Sequence, residues 1–476
     1  MATLSPSRDA VTTINTDGSR YFLHPTDVRG KFTSARRIVG AILLTVYVAL
    51  PWVKVGGYPA VFLDIALRRF HFFGFTFATQ DLWLIFFLIS GLGFGLFFVT
   101  ALLGRIWCGW ACPQTVFLDL CRRLERLLEG PADRRRAFDQ DSWTKPQKLL
   151  RRGAKLVCFF LLAMALAHVF LAYFVSLPQL YSWMRQNPGQ HWSMFLFAAF
   201  LTVALFFNFA WFREQCCLII CPYGRLQSAL TDDDTMVIGY DALRGEPRGK
   251  ATDPKAGACV NCLRCVQVCP TGIDIRQGFQ IECIGCAGCI DACNAVMDHL
   301  GRPRGLVRYD SLKGIKRQPR RILRPRLYLY SALLLAGAGA AAYSFSTLRP
   351  IDASVTRMLG RPYYITAETV RNQFNVRFIN KSEQPQNLHF SLEGAPAGLA
   401  LIGTGDTVVL RANEEIVLPI VLQENRSDYT GSVIVALSVA SADPSYTLRL
   451  PVEFLGPDAR LLRQERQNAT ENTSSP

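Results

Sequence analysis

Five apolar blocks lie along the chain before residue 350, at about Ile38–Val55, Leu82–Leu103, Leu156–Val175, Ser193–Phe212 and Leu327–Ser346. A membrane helix needs ~20 mostly apolar residues, so five spans are predicted. The first block follows 37 mostly polar residues, with no clear small-x-small cleavage site after it. It therefore reads as an uncleaved span rather than a signal peptide. After about Pro350 the apolar period shortens to two, in the runs Phe374–Phe378, Thr407–Arg411, Ile416–Val421, Ser432–Val439 and Tyr446–Phe454. Turn-forming clusters separate them at Lys381–Pro385, Gly394–Pro396, Asp428–Gly431 and Asp443–Ser445. Short strands at this spacing over roughly 105 residues predict an all-β immunoglobulin-like sandwich. The polar tail after Gly456 is expected to be disordered.

The expected organisation is a multi-domain membrane protein. Residues 1–37 form an N-terminal segment, 38–212 a four-helix membrane core and 213–326 a cysteine-rich domain. Residues 327–346 form the fifth transmembrane helix, 347–456 the sandwich and 457–476 the tail. Half of the 476 residues are hydrophobic and 19% are charged, against ~25% charged in soluble domains. That excludes a disordered chain and argues against a wholly soluble globule. The net charge of +15 suits either nucleic-acid binding or a membrane protein with basic cytoplasmic loops. The distribution favours the second, and no nucleic-acid partner is expected. Arg36 and Arg37 precede the first span, Arg105–Lys155 carries twelve Lys and Arg, and Arg213–Arg326 carries eighteen. The loop between spans three and four has only Arg185, whereas Arg68 and Arg69 make the loop between spans one and two less clean. The positive-inside rule then places the N-terminus and the cysteine-rich domain in the cytoplasm and the C-terminal domain outside.

All fifteen cysteines fall between Cys108 and Cys293. The Cys-free last 183 residues hold no disulfide, and the clustering suggests a metal site on the reducing side of a membrane. Two complete runs stand in tandem: Cys259-x2-Cys262-x2-Cys265-x3-Cys269-Pro270 and Cys283-x2-Cys286-x2-Cys289-x3-Cys293, with Asn294 where the second proline would stand. Each matches the bacterial ferredoxin pattern for [4Fe–4S], in which the fourth cysteine of a run ligates the other cluster. Cys259, Cys262, Cys265 and Cys293 are thus assigned to one cluster, and Cys283, Cys286, Cys289 and Cys269 to the second. Zinc sites also use Cys-x2-Cys pairs, but a tandem of two four-cysteine runs is far more specific. Two adjacent clusters form a short electron wire.

A second constellation ends spans two and four: Cys108-Gly109-Trp110-Ala111-Cys112-Pro113 and Cys217-Leu218-Ile219-Ile220-Cys221-Pro222. Thiols at i and i+4 share one helix face, and the following proline tends to end or bend that helix. Recurrence after alternate spans suggests an internal duplication, and if the halves pack together Cys108, Cys112, Cys217 and Cys221 converge. Facing thiolates suit a soft ion such as Cu(I) or a redox-cycling dithiol. Cys216 is either a substitute ligand or a bystander. Cys121 and Cys158 read as small apolar residues. His168, inside span three, is a ligand or proton-relay candidate with no visible partner, and His71 and His191 read as interfacial. Trp107, Trp110, Trp183, Trp192 and Trp211 sit near span ends, as aromatic belts do. The basic run Arg317–Arg326 reads as a topology signal and an anionic-lipid contact.

From Tyr21 to Leu455 this combination resembles the cytochrome c oxidase accessory protein family CcoG, also called FixG or RdxA. The resemblance implies a Gram-negative inner-membrane oxidoreductase that reduces Cu(II) to Cu(I) during assembly of cbb3-type oxidases. It implies two [4Fe–4S] cofactors on the eight ferredoxin cysteines, copper as substrate, and matches at Cys108, Cys112, Cys217 and Cys221. Implied partners are membrane lipid, a copper chaperone or transporter, the oxidase assembly machinery and an electron donor of unknown identity; a homodimer is a candidate assembly. Two other readings remain at this point. One is a quinol-linked electron-transfer ferredoxin that handles no copper. The other is a non-catalytic assembly scaffold. A flavin or quinone route lacks motif support, since no G-x-G-x-x-G follows a strand and no P-loop is present; the donor is expected to be a protein or a quinol.

Overall fold

The computed structural model describes residues 22–461, apart from 67, 79–81, 141–145, 347–350, 383, 404, 406, 413 and 442–446. The first 21 residues, most of the tail and the turn at Asp443–Ser445 lie outside the described residues. The chain divides into two compact units. One comprises 1–73 and 82–343, the other 74–81 and 344–476. The membrane helices and the cysteine-rich segment thus share one unit.

In that unit, α1 (Lys31–Ala49) starts seven residues before the expected Ile38. Gly30 offers no side chain to cap it. Its first amides are instead capped from a distance: Asp291 accepts from Thr33 N and Thr33 Oγ1, both at 2.7 Å, and from Phe32 N at 3.3 Å. Pro51 follows within two residues and cannot continue a helix, so the expected end at Val55 is replaced by short strands. These are β1 (Lys54–Val55), β2 (Tyr58–Pro59), β3 (Val61–Asp64) and β4 (Arg69–Phe72); β5 (Phe75–Ala78) follows in the 74–81 segment, which belongs to the other unit. β3 and β4 form an antiparallel hairpin, a feature the apolar pattern did not announce.

Span two is α2 (Leu82–Leu103), as expected. It is followed by α3 (Ile106–Trp110), α4 (Pro113–Glu129) and α5 (Ala132–Gln140). α6 (Pro146–Leu171) begins ten residues before the expected Leu156 and ends before Val175. Its added N-terminal turns are polar and carry Lys155, whose ammonium meets Glu129 at 2.8 Å. After α7 (Leu177–Arg185), α8 (Trp192–Phe207) packs on α6 and passes into two five-residue π-helical turns, Asn208–Phe212 and Cys216–Ile220, before α9 (Pro222–Leu230). Insertions of this kind often mark functional sites. Among the described residues, five helices are long and apolar enough to cross a membrane.

The cysteine-rich segment is closed by the antiparallel pair β6 (Met236–Tyr240) and β7 (Val307–Ser311). Between them lie α10 (Ala242–Gly245), α11 (Arg264–Gln267) and α12 (Gly288–His299), with α13 (Leu312–Ile315) after them. The final span is α14 (Pro325–Ser346).

The second unit holds two antiparallel sheets. β8 (Ile351–Arg357), β9 (Tyr364–Ile365), β10 (Thr369–Asn380), β12 (Ala400–Ile402) and β14 (Glu415–Asn425) form one, ordered β12-β14-β10-β8 with β9 also on β10. β11 (Gln386–Glu393), β13 (Val408–Leu410), β15 (Val433–Ser441) and β16 (Thr447–Phe454) form the other, ordered β13-β11-β15-β16. Alternate residues such as Phe374, Val376 and Phe378 face Leu437, Val439 and Phe454 in a shared apolar core. Two buried asparagines tie loops to it. Asn372 donates to Leu455 O at 2.7 Å, and Asn380 donates to Arg411 O at 2.9 Å.

A candidate iron–sulfur and thiol centre

The two ferredoxin runs fold into matching loops. In each, the residues flanking the middle cysteine take positive φ: Asn261 (54°) and Leu263 (58°) around Cys262, Gly285 (69°) and Ala287 (62°) around Cys286. Leucine and alanine adopt this region only when the surroundings impose it. Successive backbone amides arranged this way form an anion-binding concavity, a feature of many iron–sulfur sites. The loops cross over. Cys259, Cys262, Cys265 and Cys293 line one cavity, while Cys269, Cys283, Cys286 and Cys289 line a second, whose wall Cys265 also joins. Burial pushes Cys265 and Cys283 up to about 12 and Cys293 to about 11, reinforced by the neighbouring thiols. Thiols in such surroundings ionise only with cationic charge to share. Four cysteines around a cavity, cradled by amide nests, fit an anionic [4Fe–4S] group in each position.

The Cys-x3-Cys-Pro motifs depart from the expected single helix face. Cys108 lies in α3, whereas Cys112 is extended (φ −61°, ψ 127°) and caps α4. Cys217 lies in a π turn, whereas Cys221 is extended (φ −64°, ψ 109°) and caps α9. Proline has no N–H and clashes with a preceding helical carbonyl, so Pro113 and Pro222 begin new helices at their first position. Each pair therefore straddles a helix break. The halves are joined by reciprocal amide bonds: Gln114 Nε2 donates to Asn208 Oδ1 at 3.0 Å, and Asn208 Nδ2 donates to Gln114 Oε1 at 2.7 Å. This brings Cys108, Cys112, Cys216, Cys217 and Cys221 within electrostatic range of one another. Burial pushes Cys108 and Cys217 up to about 12. The Cys108 thiol donates to Gln227 Oε1 at 3.4 Å, and Gln227 is fully buried. Among the described residues no three His, Cys, Asp or Glu side chains are spaced to close around a single metal ion. Cys216 joins this group, Cys121 is packed in an apolar core beside Phe159 and Phe209, and Cys158 lies on α6 outside both groups. His168 turns back on its own helix, its Nδ1 at 2.8 Å from Met164 O. His71 is buried and stacks on Tyr58, with ring centroids 3.9 Å apart. His191 stacks on Trp183 at 4.5 Å.

The membrane motif abuts the second cysteine loop. A methyl group on Gly109 would stand 2.6 Å from Ile284 O and 2.8 Å from Cys286 N, and one on Gly285 would stand 3.1 Å from Arg105 O. Trp110 Nε1 donates to Tyr309 Oη at 3.2 Å, and Tyr309 donates to Gly285 O at 2.5 Å. None of these contacts was anticipated; the glycine between Cys108 and Trp110, in a segment expected to be helical, was the available signal. Also unforeseen is a buried charge network behind the motifs. Glu125 meets Arg135 at 2.9 Å and Arg213 more closely, with Lys155 at 3.9 Å. Burial alone would raise the Glu125 carboxyl, but Arg213 and Lys155 hold it down to about 2.

Membrane helices, two cysteine-lined cavities built from tandem ferredoxin runs and a thiol group against one of them define a membrane iron–sulfur electron-transfer protein. Residues 212–312 match a 4Fe-4S dicluster domain, 82–131 a 4Fe-4S binding domain, and 341–457 the IG-like fold at the C-terminus of FixG. The chain is 35% identical to protein RdxA of Cereibacter sphaeroides over 397 residues, covering 79% of this chain and 83% of that one. It is 36% identical to RdxB of the same organism over 419 residues (81% and 87%). With nitrogen fixation protein FixG of Rhizobium meliloti it shares 31% over 451 residues (84% and 85%). The chain belongs to the FixG/RdxA family.

Proposed function

We propose that the protein is a cupric reductase of the inner membrane, supplying Cu(I) for assembly of a cbb3-type cytochrome c oxidase. The observation that carries this reading is the packing of the thiol group, through Gly109 and Trp110, directly on the second cysteine loop. Cys259, Cys262, Cys265 and Cys293 would hold one [4Fe–4S] cluster, and Cys269, Cys283, Cys286 and Cys289 the other. When bound, the clusters supply single electrons at low potential. Cys108, Cys112, Cys217 and Cys221, with Cys216 beside them, receive Cu(II) as substrate. One electron converts each Cu(II) to Cu(I), and thiolate prefers the softer product. The Cu(I) product then passes to a copper chaperone or transporter. The Lys and Arg distribution supports a cytoplasmic N-terminus and ferredoxin segment with the β-sandwich in the periplasm.

The test is anaerobic. Protein with reduced clusters receives one equivalent of Cu(II), and cluster reoxidation is followed alongside Cu(I) captured by a chromogenic chelator. Cu(I) appearing in step with reoxidation is expected, and Cys217→Ser/Cys221→Ser should abolish it with iron content intact. Clusters that stay reduced over unreacted Cu(II) overturn the copper reading. Full activity in the double variant overturns the thiol assignment.

A further inference from the structure

Two cavities meet beside the first turns of α1, sharing Arg36, Arg37, Asp119 and Arg123. The first lies between residues 25–28, α1, α4 and the second cysteine loop, where Cys286 and Gly288 form part of its wall. Six arginines line it: Arg36, Arg37, Arg122, Arg123, Arg126 and Arg135. Four already face carboxylates. Arg36 meets Asp119 at 2.8 Å, Arg122 stands 3.7 Å from Asp119 and 3.8 Å from Glu214, Arg126 pairs with Asp27, and Arg135 meets Glu125 at 2.9 Å. Among the described residues Arg37 and Arg123 have no carboxylate at ion-pair distance. The second cavity is mainly apolar, walled by Gly40, Ala41 and Leu44 of α1, Val116 and Leu120 of α4, and Trp110. It runs along a membrane-spanning helix whose Ile38 and Ile42 are exposed.

We propose that the two cavities form one site for an acidic phospholipid, its headgroup phosphate between Arg37 and Arg123 and its upper acyl chain along Gly40, Leu44 and Leu120. Basic pockets beside membrane helices take anionic headgroups, and planar guanidiniums suit phosphate oxygens. A soluble phosphate would use the arginines but not the apolar wall. A quinol would use the wall but leave the unpaired guanidiniums without an anion. Only an anionic amphiphile engages both. With Cys286 and Gly288 in the wall, the phosphate charge stands next to the second cysteine loop. Negative charge there disfavours the reduced cluster and lowers its potential. The site rests on the cavity alone and stands whether or not copper is the substrate.

The full-length protein, purified in neutral detergent, is offered an equal mixture of phosphatidylglycerol and phosphatidylcholine, and the retained lipid is weighed by native mass spectrometry. Severalfold preference for phosphatidylglycerol is expected, unaffected by millimolar inorganic phosphate and lost in Arg37→Gln/Arg123→Gln. In nanodiscs the second cluster should titrate at lower potential in phosphatidylglycerol than in phosphatidylcholine, with the difference absent in the double variant. Equal retention of both lipids by the unmodified protein overturns the proposal, whatever the variant's folding. Displacement by inorganic phosphate would make the ligand a soluble anion, and co-purified quinone filling the site would make it a quinol; either overturns the lipid.

Discussion

The indole of Trp110 donates a hydrogen bond to the hydroxyl of Tyr309, joining the segment between two membrane-motif cysteines to β7, whose Tyr309 stands within electrostatic range of Cys283, Cys286 and Cys289. Tyr309 then donates to Gly285 O inside the cysteine loop. Two hydrogen bonds thus link the thiol-bearing segment to that loop. Tyr309→Phe should leave iron content unchanged, since no ligand is removed, and lower stability by only about 1 kcal/mol. Stopped-flow reoxidation of the reduced clusters by Cu(II) should nevertheless slow severalfold, while reoxidation by a small cationic dye stays unchanged. Equal rates with both oxidants in the variant and the unmodified protein would remove Tyr309 from the route.

Gly109→Ala should be more damaging than its size suggests. The added methyl meets backbone atoms at 2.6–2.8 Å, which cannot swing aside as a side chain can. Overpacking of this kind costs about 1–3 kcal/mol. Thermal unfolding should occur at lower temperature, and copper-driven reoxidation should be lost even in molecules with full iron content.

The crossed cavities predict an asymmetric effect of single cysteine changes. Cys293→Ser lies in the second run but should impair the cluster held chiefly by the first; Cys269→Ser should do the converse. Iron analysis with electron paramagnetic resonance of each reduced variant is expected to show about half the iron and one remaining signal, a different one in each case. The same signal surviving in both variants would refute the crossing.

Glu125 makes stability depend on acid. Its carboxyl is held at about 2 in the folded protein, below the ordinary glutamate value of ~4.3. The unfolded chain therefore takes up a proton first, and the contribution, on the order of 3 kcal/mol, is complete above about pH 5 and lost as pH falls toward 2. Glu125→Gln should remove that dependence from a denaturant titration. It should also destabilise at neutral pH by about 3–5 kcal/mol, because Arg135 and Arg213 keep their charge in a buried site.

Much of this architecture is readable from residue order. The apolar blocks placed all five spans, and cysteine spacing marked both cluster loops and the recurring membrane motif. The departures have local causes. α1 begins early because Asp291, distant in sequence, caps its first turn. The thiol pairs straddle helix breaks because proline is tolerated only at a helix start, which spacing alone does not reveal. Left-handed Leu263 and Ala287 carry no signal in residue type, since tertiary contacts impose their conformation. The Glu125 network was hidden for a related reason: it joins α4, α5, α6 and the residue after a π turn, and pairings across four elements leave no periodic trace.

At the seam between Gly109 and the Ile284–Cys286 loop, the membrane motif and the second cysteine loop touch through peptide planes with no side chain between them. The contacting atoms themselves are peptide groups, which neither titrate nor change rotamer. The contact therefore interposes no ionisable or rotameric group of its own, and under the proposed function turnover would be throttled by what arrives at either end rather than by the seam.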